Sequence, residues 1–188
     1  MRQKLGKLMI IVAIYILVSA GFLLYRNIDD YKENETVVTK LQEDVIRKEV
    51  VKKQDGNREI EIEEYYIDWE KLKDTDVVGW IRFENKPEVI DYPIVKGETN
   101  DTYIHHLYTG EYNYGGSIFM NCENSSLFTD TNTILYGHNM YDGSMFHDLR
   151  YFLQEDYMKT NGTLYIYLPD GTKHTYEVFS ASYVMDGG

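Results

Sequence analysis

The apolar residues of this chain follow one pattern near the amino terminus and another beyond it. From Leu8 to Tyr25 no residue carries a charge, and most are apolar. A run of this length matches the roughly 17–25 apolar residues that cross a bilayer. Three basic residues and no acidic residue precede it, which places the amino terminus inside. The pattern predicts a cytoplasmic basic tail over residues 1–7 and a transmembrane signal anchor over residues 8–25.

A cleavable signal peptide is the alternative interpretation of this segment. Val18-Ser19-Ala20 resembles a small-residue cleavage site. The apolar core of a signal peptide usually has about 7–15 residues, and this run is longer. The length favours an uncleaved single-pass anchor in the cell membrane, with the rest of the chain on the extracellular face.

Residues 26–57 show a helical pattern. Apolar residues from Val38 to Val50 recur at spacings of three and four, which places them on one face of a helix. Acidic residues stand four positions before basic ones, as in Glu43 and Arg47, and such pairs stabilise a helix modestly. We expect a helical stalk over residues 26–57.

From residue 58 onward, short strands separated by turn signals replace the helical pattern. The predicted strands are 59–63, 77–83, 89–95, 117–121, 132–136, 164–168 and 174–183, and the predicted short helices are 68–74, 100–108, 144–150 and 155–159. The last two strands form the clearest hairpin, because Pro169-Asp170-Gly171 between them favours a turn. Residues 58–188 are therefore predicted to form a mixed α/β domain that is mainly β and barrel-like.

Charge and cysteine content exclude several classes of function. The formal net charge is −12, and every acidic residue follows Tyr25. Because phosphate binding needs a basic surface, nucleic acid is not an expected partner. The lone Cys122 excludes an internal disulfide framework. No zinc or EF-hand spacing is present, and the adjacent His105 and His106 point apart on a helix, so we expect neither a metal nor a cofactor.

One histidine stands out by its position. Thr133–Met140 reads as a short apolar strand that ends in Gly137-His138-Asn139, which puts an imidazole at the mouth of a strand. Imidazole titrates near pH 6.5 and exchanges protons at working pH. A histidine after a strand is, taken alone, more often structural than catalytic.

Six segments occur along the chain in the order typical of one family. They are Val77–Ile81, Asp91–Val95, Gly97–Ile104, Gly116–Asn121, Thr133–Asn139 and Val178–Ala181. Together with the predicted anchor they resemble a sortase of class B. Sortases are membrane-anchored cysteine transpeptidases that join surface proteins to the Gram-positive cell wall, and the resemblance implies a sortase-like β-barrel with helices at its amino-terminal side.

The resemblance also implies a mechanism and a set of site residues. A cysteine thiol attacks the Thr carbonyl of a sorting-signal peptide similar to Asn-Pro-Gln-Thr-Asn and forms a thioacyl enzyme. His138 corresponds to the histidine that protonates the departing amine and then deprotonates the incoming amine of the peptidoglycan cross-bridge, while an arginine stabilises the oxyanion. Asn100 and Ile104 match positions that line the pocket for the sorting signal. Their i,i+4 spacing places both on one helical face, although a helix cap and a core position remain the alternatives.

The chain departs from the family at the nucleophile. In sortases of class B the cysteine and the arginine follow the histidine, and no cysteine follows His138. Cys122 precedes His138, lacks the family's Thr-Leu-x-Thr-Cys context and has an acidic neighbour that disfavours a thiolate. The chain stops at Gly188, so we expect an incomplete barrel and an inactive chain. The alternative is a non-catalytic, membrane-tethered peptide-binding module with a sortase-like surface.

Overall fold

The computed structural model describes residues 2–55, 58–85, 87 and 90–184. The helices are α1 (Arg2–Val45) and α2 (Glu155–Asn161), and two 3₁₀ helices span Trp69–Lys71 and His147–Leu153. The strands are β1 (Ile46–Asp55), β2 (Arg58–Ile67), β3 (Val77–Phe83), β4 (Asp91–Val95), β5 (Ile118–Met120), β6 (Leu135–Tyr136), β7 (Thr163–Tyr167) and β8 (Lys173–Glu177). The mixed, mainly β class that the sequence predicts is confirmed, and β3 and α2 begin at the predicted residues.

The described strands form a six-stranded sheet and a separate hairpin. The strand order of the sheet is β6-β5-β4-β3-β7-β8, and β1 pairs with β2. All neighbours are antiparallel except β4 and β5, which run parallel with Ile94 opposite Ile118. A parallel pair needs a long crossover, and residues 96–117 provide it. This crossover returns the chain to the edge of the sheet where β5 and β6 lie.

The core lies on both faces of the central strands. β3 and β4 are buried nearly throughout, which explains why they read as continuous apolar runs rather than as alternating ones. The carboxy-terminal part of α1 packs on the sheet through Val38 in one apolar cluster and through Leu41 and Val45 in a second. The apolar stripe that predicted a helix therefore identifies the face that docks on the sheet.

The predicted helix over residues 26–57 is wrong beyond Val45. There the chain turns into β1, which pairs with β2 over its whole length, from Ile46 opposite Ile67 to Asp55 opposite Arg58. Ion pairs between basic residues of β1 and acidic residues of β2 cross this ladder. The i,i+4 pairs that favoured a helix contribute only a few tenths of a kcal/mol each, so the cross-strand pairing outweighs them.

The apolar run at residues 8–25 lies within α1, which continues without a break to Val45. Across the described ranges, no helix has both the length and the apolar character needed to cross a membrane. The run that the sequence predicts as an anchor is part of one longer helix rather than an element of its own.

The predicted helix over residues 100–108 is also wrong, because this part of the crossover is a series of turns. Its polar side chains bond locally instead of leaving the backbone to form a helix. The Thr99 amide donates to Thr102 Oγ1 at 3.3 Å, and His106 Nδ1 bonds the Thr102 carbonyl at 2.8 Å. The helix expected over 144–150 is replaced by the 3₁₀ helix His147–Leu153.

Candidate active site at His138

His138 lies two residues beyond the end of β6, as its sequence position predicted. Gly137 before it packs against the ring of Phe146, and a Cβ there would meet that ring at 2.7 Å. The chain then returns through a bridge between Asn139 and Met145, and the Phe146 amide donates to the His138 carbonyl at 3.0 Å. The backbone of His138 is therefore held by the strand on one side and by this return on the other.

The imidazole of His138 is oriented by the main chain of the crossover. Its Nε2 lies 2.8 Å from the carbonyl oxygen of Ile104. A carbonyl oxygen only accepts, so Nε2 carries the hydrogen and donates it. In the neutral ring Nδ1 then has a free lone pair, because a neutral imidazole carries one N–H and one acceptor nitrogen. The arrangement makes Nδ1 the nitrogen that can take up or release a proton.

The Ile104 carbonyl that orients His138 packs closely against Gly116. Gly116 adopts a φ of +57°, and a Cβ on it would overlap the Ile104 carbonyl oxygen and would lie 2.6 Å from that of Tyr103. Only glycine allows this approach at this backbone conformation. The adjacent Ser117 amide donates to the Tyr103 carbonyl at 3.1 Å, which ties the carboxy-terminal end of the crossover to the segment that carries Ile104.

Helix α1 contributes to this support through a buried asparagine pair. Asn34 is 6% exposed and Asn113 is fully buried. Asn34 Nδ2 donates to the Gly116 carbonyl at 2.9 Å and to Asn113 Oδ1 at 3.3 Å. The Gly115 amide also donates to Asn113 Oδ1, at 2.9 Å. A contact chain thus runs from α1 through the 113–116 loop to the carbonyl that orients His138.

Two further rings lie against His138. The ring centroid of His105 is 5.5 Å from that of His138, at an interplanar angle of 18°. The Tyr114 ring is 6.4 Å from His138 and 5.3 Å from His105, and it is nearly parallel to both. The sequence indicated only that His105 and its neighbour His106 do not chelate one metal ion. Its place beside His138 depends on the crossover, which no local pattern revealed.

The structure separates the two predicted substrate residues, with Ile104 at His138 and Asn100 at Cys122, and neither lies on a helical face. Asn100 Oδ1 accepts a hydrogen bond from the Cys122 amide at 2.8 Å. Ile104 is half-buried, and its side chain packs on the apolar cluster that contains Leu41 and Val45. The contact of Ile104 with His138 is made by its main-chain carbonyl, a role that no side-chain pattern could predict.

Cys122 lies at the opposite end of the same strand pair. Phe119 faces Tyr136 and Met120 faces Leu135, so this register continued puts Ser117 opposite His138. Cys122 follows Ser117 by five positions, a distance of about 16 Å along an extended strand. The thiol is therefore too far from the imidazole to form a cysteine–histidine pair.

An apolar cavity of about 590 Å³ opens beside the site. Its wall includes Leu135, Asn139, Phe146, Phe152 and Leu164, and Asn139 directly follows His138. The Asn139 Oδ1 accepts a hydrogen bond of 2.9 Å from His147 Nδ1. Volumes of about 300–1,000 Å³ are typical of ligand pockets, so this space, which Asn139 lines directly after His138 in the chain, is large enough for an apolar side chain. Within the described residues, no three His, Cys, Asp or Glu side chains group closely enough to hold a metal ion.

Comparison with known proteins places this geometry in a family. Residues 85–187 match the sortase domain, and the match includes His138 and the whole crossover. The chain belongs to the sortase family. Sortase B of Listeria monocytogenes is 34% identical over 179 residues, which cover 95% of this chain and 70% of that protein.

Solved structures of class B sortases share the fold. Sortase B of Bacillus anthracis superposes with a TM-score of 0.65 at 31% identity, over 85% of this chain and 73% of that one. A complex of Staphylococcus aureus sortase B with its substrate gives a TM-score of 0.54 at 32% identity. That match covers 60% of this chain and about half, 51%, of the solved one. The six-stranded sheet of this chain is therefore curved like the sheet of sortase B.

Proposed function

We propose that this chain carries the acid–base histidine, His138, of a class B sortase active site. Sortases of this class are cysteine transpeptidases, and the proposed reaction cleaves a sorting signal similar to Asn-Pro-Gln-Thr-Asn and joins the surface protein to an amine of the peptidoglycan cross-bridge. The observation that supports this most is the hydrogen bond from His138 Nε2 to the Ile104 carbonyl. It leaves the lone pair of Nδ1 available for proton transfer.

His138 supplies acid–base chemistry in this proposal. When a thiolate displaces the amine of the scissile peptide bond, protonated Nδ1 gives its proton to the departing amine. The neutral ring then takes a proton from the incoming amine as it attacks the thioacyl carbonyl, and the thiolate leaves. The Nε2–H bond to Ile104 persists through both steps, because Nε2 carries its hydrogen in the neutral and in the charged imidazole.

Asn100 and Ile104 are proposed as residues that contact the sorting signal. Since Asn100 Oδ1 already accepts from the Cys122 amide, Asn100 would recognise the peptide by donating from Nδ2 to a peptide carbonyl. Ile104, half-buried on the crossover, would offer the exposed part of its side chain as an apolar wall.

We also propose that these 188 residues alone do not turn over a sorting signal. Cys122 is the single cysteine, and the register places it far from His138. The non-catalytic alternative, a peptide-binding module with a sortase-like surface, is favoured by the same separation and predicts binding without cleavage. We place the protein on the outer face of the cell, the location of sortases, and fractionation of cells with exposure to external protease tests that placement.

Peptide binding tests the proposal directly. A labelled Asn-Pro-Gln-Thr-Asn peptide should bind the chain, whereas a scrambled peptide of the same composition should not. Asn100→Ala should weaken binding about tenfold, since a lost hydrogen bond of about 1–1.5 kcal/mol corresponds to that factor. Asn132→Ala, an exposed asparagine beyond the crossover, is the matched control and should bind like the parent.

Two results would contradict the proposal in different ways. Equal affinity for both peptides would refute recognition of the sorting signal. Release of the cleaved peptide, followed by mass spectrometry, would refute the statement that these residues alone are inactive. Melting of each variant must remain cooperative, so that a weaker affinity reports the lost contact rather than a lost fold.

A further inference from the structure

Three of the rings near the site lie in nearly parallel planes. His105 and His138 are separated by 5.5 Å at 18°, and Tyr114 lies 5.3 Å from His105 at 20°. The Tyr114 ring is also only 6.4 Å from His138. The three centroids therefore form a triangle rather than a column, and His105 is the nearer of the two rings to His138.

His105 is fixed independently of His138. Its Nδ1 lies 3.0 Å from the Tyr114 carbonyl, so Nδ1 carries the hydrogen and donates it, because the carbonyl only accepts. His105 is half-buried, and the main chain of Tyr114 anchors its ring within the crossover. The crossover thus holds the flat His105 ring, here called the plate, nearly parallel to the His138 ring.

The His105 ring restrains the tilt of the His138 ring, which the hydrogen bond to Ile104 alone does not. One hydrogen bond at Nε2 holds one atom of the His138 ring and leaves the ring plane free to tilt about that contact. A parallel ring at stacking distance opposes the tilt, since offset-stacked rings are favoured at centroid separations of about 4.5–7 Å. The bond and the plate together fix both the position of Nε2 and the direction of Nδ1.

We propose that His105 is a positioning residue that holds His138 in the Nε2–H tautomer, with Nδ1 aimed away from the Ile104 carbonyl. The proposal rests on the proposed function, in which Nδ1 of His138 exchanges the proton. His105 acts through its flat ring, and its own nitrogens take no part.

The tautomer of His138 can be observed without any catalytic turnover. In the full chain labelled with ¹⁵N histidine, the two ring nitrogens give different chemical shifts when protonated and when bare. The spectrum is recorded at about pH 8.5, above the ordinary range of histidine titration, and His138→Ala assigns the signals. The parent chain should show His138 mainly as the Nε2–H form.

Three variants separate the ring plane from other effects. His105→Ala removes the plate and should lower the ratio of Nε2–H to Nδ1–H tautomer in His138 by roughly two- to tenfold, the range expected for one lost ring contact. His105→Phe keeps a flat ring without nitrogens and should retain the parent ratio. His106→Ala is the matched control, because His106 is also bound to a carbonyl, that of Thr102, at 2.8 Å, and should leave His138 unchanged.

Each other outcome overturns the proposal. A parent-like ratio in His105→Ala, with a cooperative melt, means that the Ile104 bond alone sets the tautomer. A His105→Phe variant that behaves like His105→Ala means that the imidazole nitrogens matter and not the plane. An equal loss in His106→Ala means that general loosening of the crossover is the cause. Because none of these readings depends on peptide binding or turnover, they are independent of whether the proposed function itself holds.

Discussion

The two ends of the β5–β6 strand pair carry the two residues most suggestive of sortase chemistry, and they are built in different ways. At one end His138 is held by close contacts of main chain with main chain, behind which Gly116 and Gly137 leave no room for a side chain. At the other end Cys122 opens a half-exposed loop that is closed by polar side chains, among them Asn124 and Asp130.

The difference teaches that a reactive residue type is less informative than the rigidity of its surroundings. A proton-transfer group has to be held within a fraction of an ångström of its working position, and packed backbone provides that. Hydrogen bonds between exposed side chains exchange readily with water and contribute little rigidity. Four measurements test this contrast, in order from the largest expected effect to the smallest.

Gly116→Ala should have the largest effect. The new Cβ would overlap the Ile104 carbonyl, and alanine would have to adopt the left-handed conformation that Gly116 has. We therefore expect a loss of about 3 kcal/mol or more in the free energy of unfolding. Gly110→Ala is the matched control, because Gly110 also has a positive φ, +86°, but open space around its Cα. It should cost only about 1 kcal/mol. Urea denaturation measures both, and equal losses would show that the Ile104 carbonyl is not pressed against Gly116.

Asn34→Ala should have the next largest effect. It leaves the Gly116 carbonyl without the donor that lies at 2.9 Å, and an unsatisfied buried polar group costs about 1–3 kcal/mol. The neighbouring Glu35→Ala removes an exposed side chain from the same turn of α1 and should change stability by less than about 0.5 kcal/mol. If both variants unfold at the parent urea concentration, α1 does not support the site.

Acid should loosen the loop that begins at Cys122. The Ser125 amide, at 2.6 Å, and the Asn124 side chain, at 2.9 Å, donate to the Asp130 carboxylate and hold its pKa below the ordinary value. A lowered pKa stabilises the loop at pH values above the ordinary aspartate value of about 3.9, and this stabilisation is lost as the pH falls through the lowered value. The Ser125 amide chemical shift should follow this titration. In Asp130→Asn the titration should be absent, and its persistence would assign the change to another group.

Cys122→Ser should have the smallest effect. The contact that the structure shows at this position is made by the Cys122 amide to Asn100 Oδ1, which a serine retains. We expect a change in stability within about 0.5 kcal/mol and no change in the histidine spectrum or in peptide affinity. A loss of peptide affinity in this variant would mean that the thiol belongs to the site and that the contrast between the two ends is wrong.

The sequence alone determined the elements that local patterns encode. The apolar run of β3 predicted its bounds from Val77 to Phe83, and Pro169-Asp170-Gly171 predicted the turn between β7 and β8, although β8 ends at Glu177, earlier than expected. The Gly137-His138 step after a short strand predicted the position of the candidate site. These features depend on neighbouring residues, whose periodicity and turn chemistry are visible in one dimension.

Only the tertiary structure decided how the site is assembled. Helix α1 ends at Val45 because the residues that follow it form β1 and pair with β2. The crossover forms turns because it has to bring the chain back to β5, parallel to β4. The partner of His138 Nε2 is a carbonyl 34 residues earlier in the chain, supported by a glycine and by an asparagine of α1. Main-chain carbonyls are the same at every residue, so no pattern of side chains distinguishes the one that orients the imidazole, and only the folded backbone selects it.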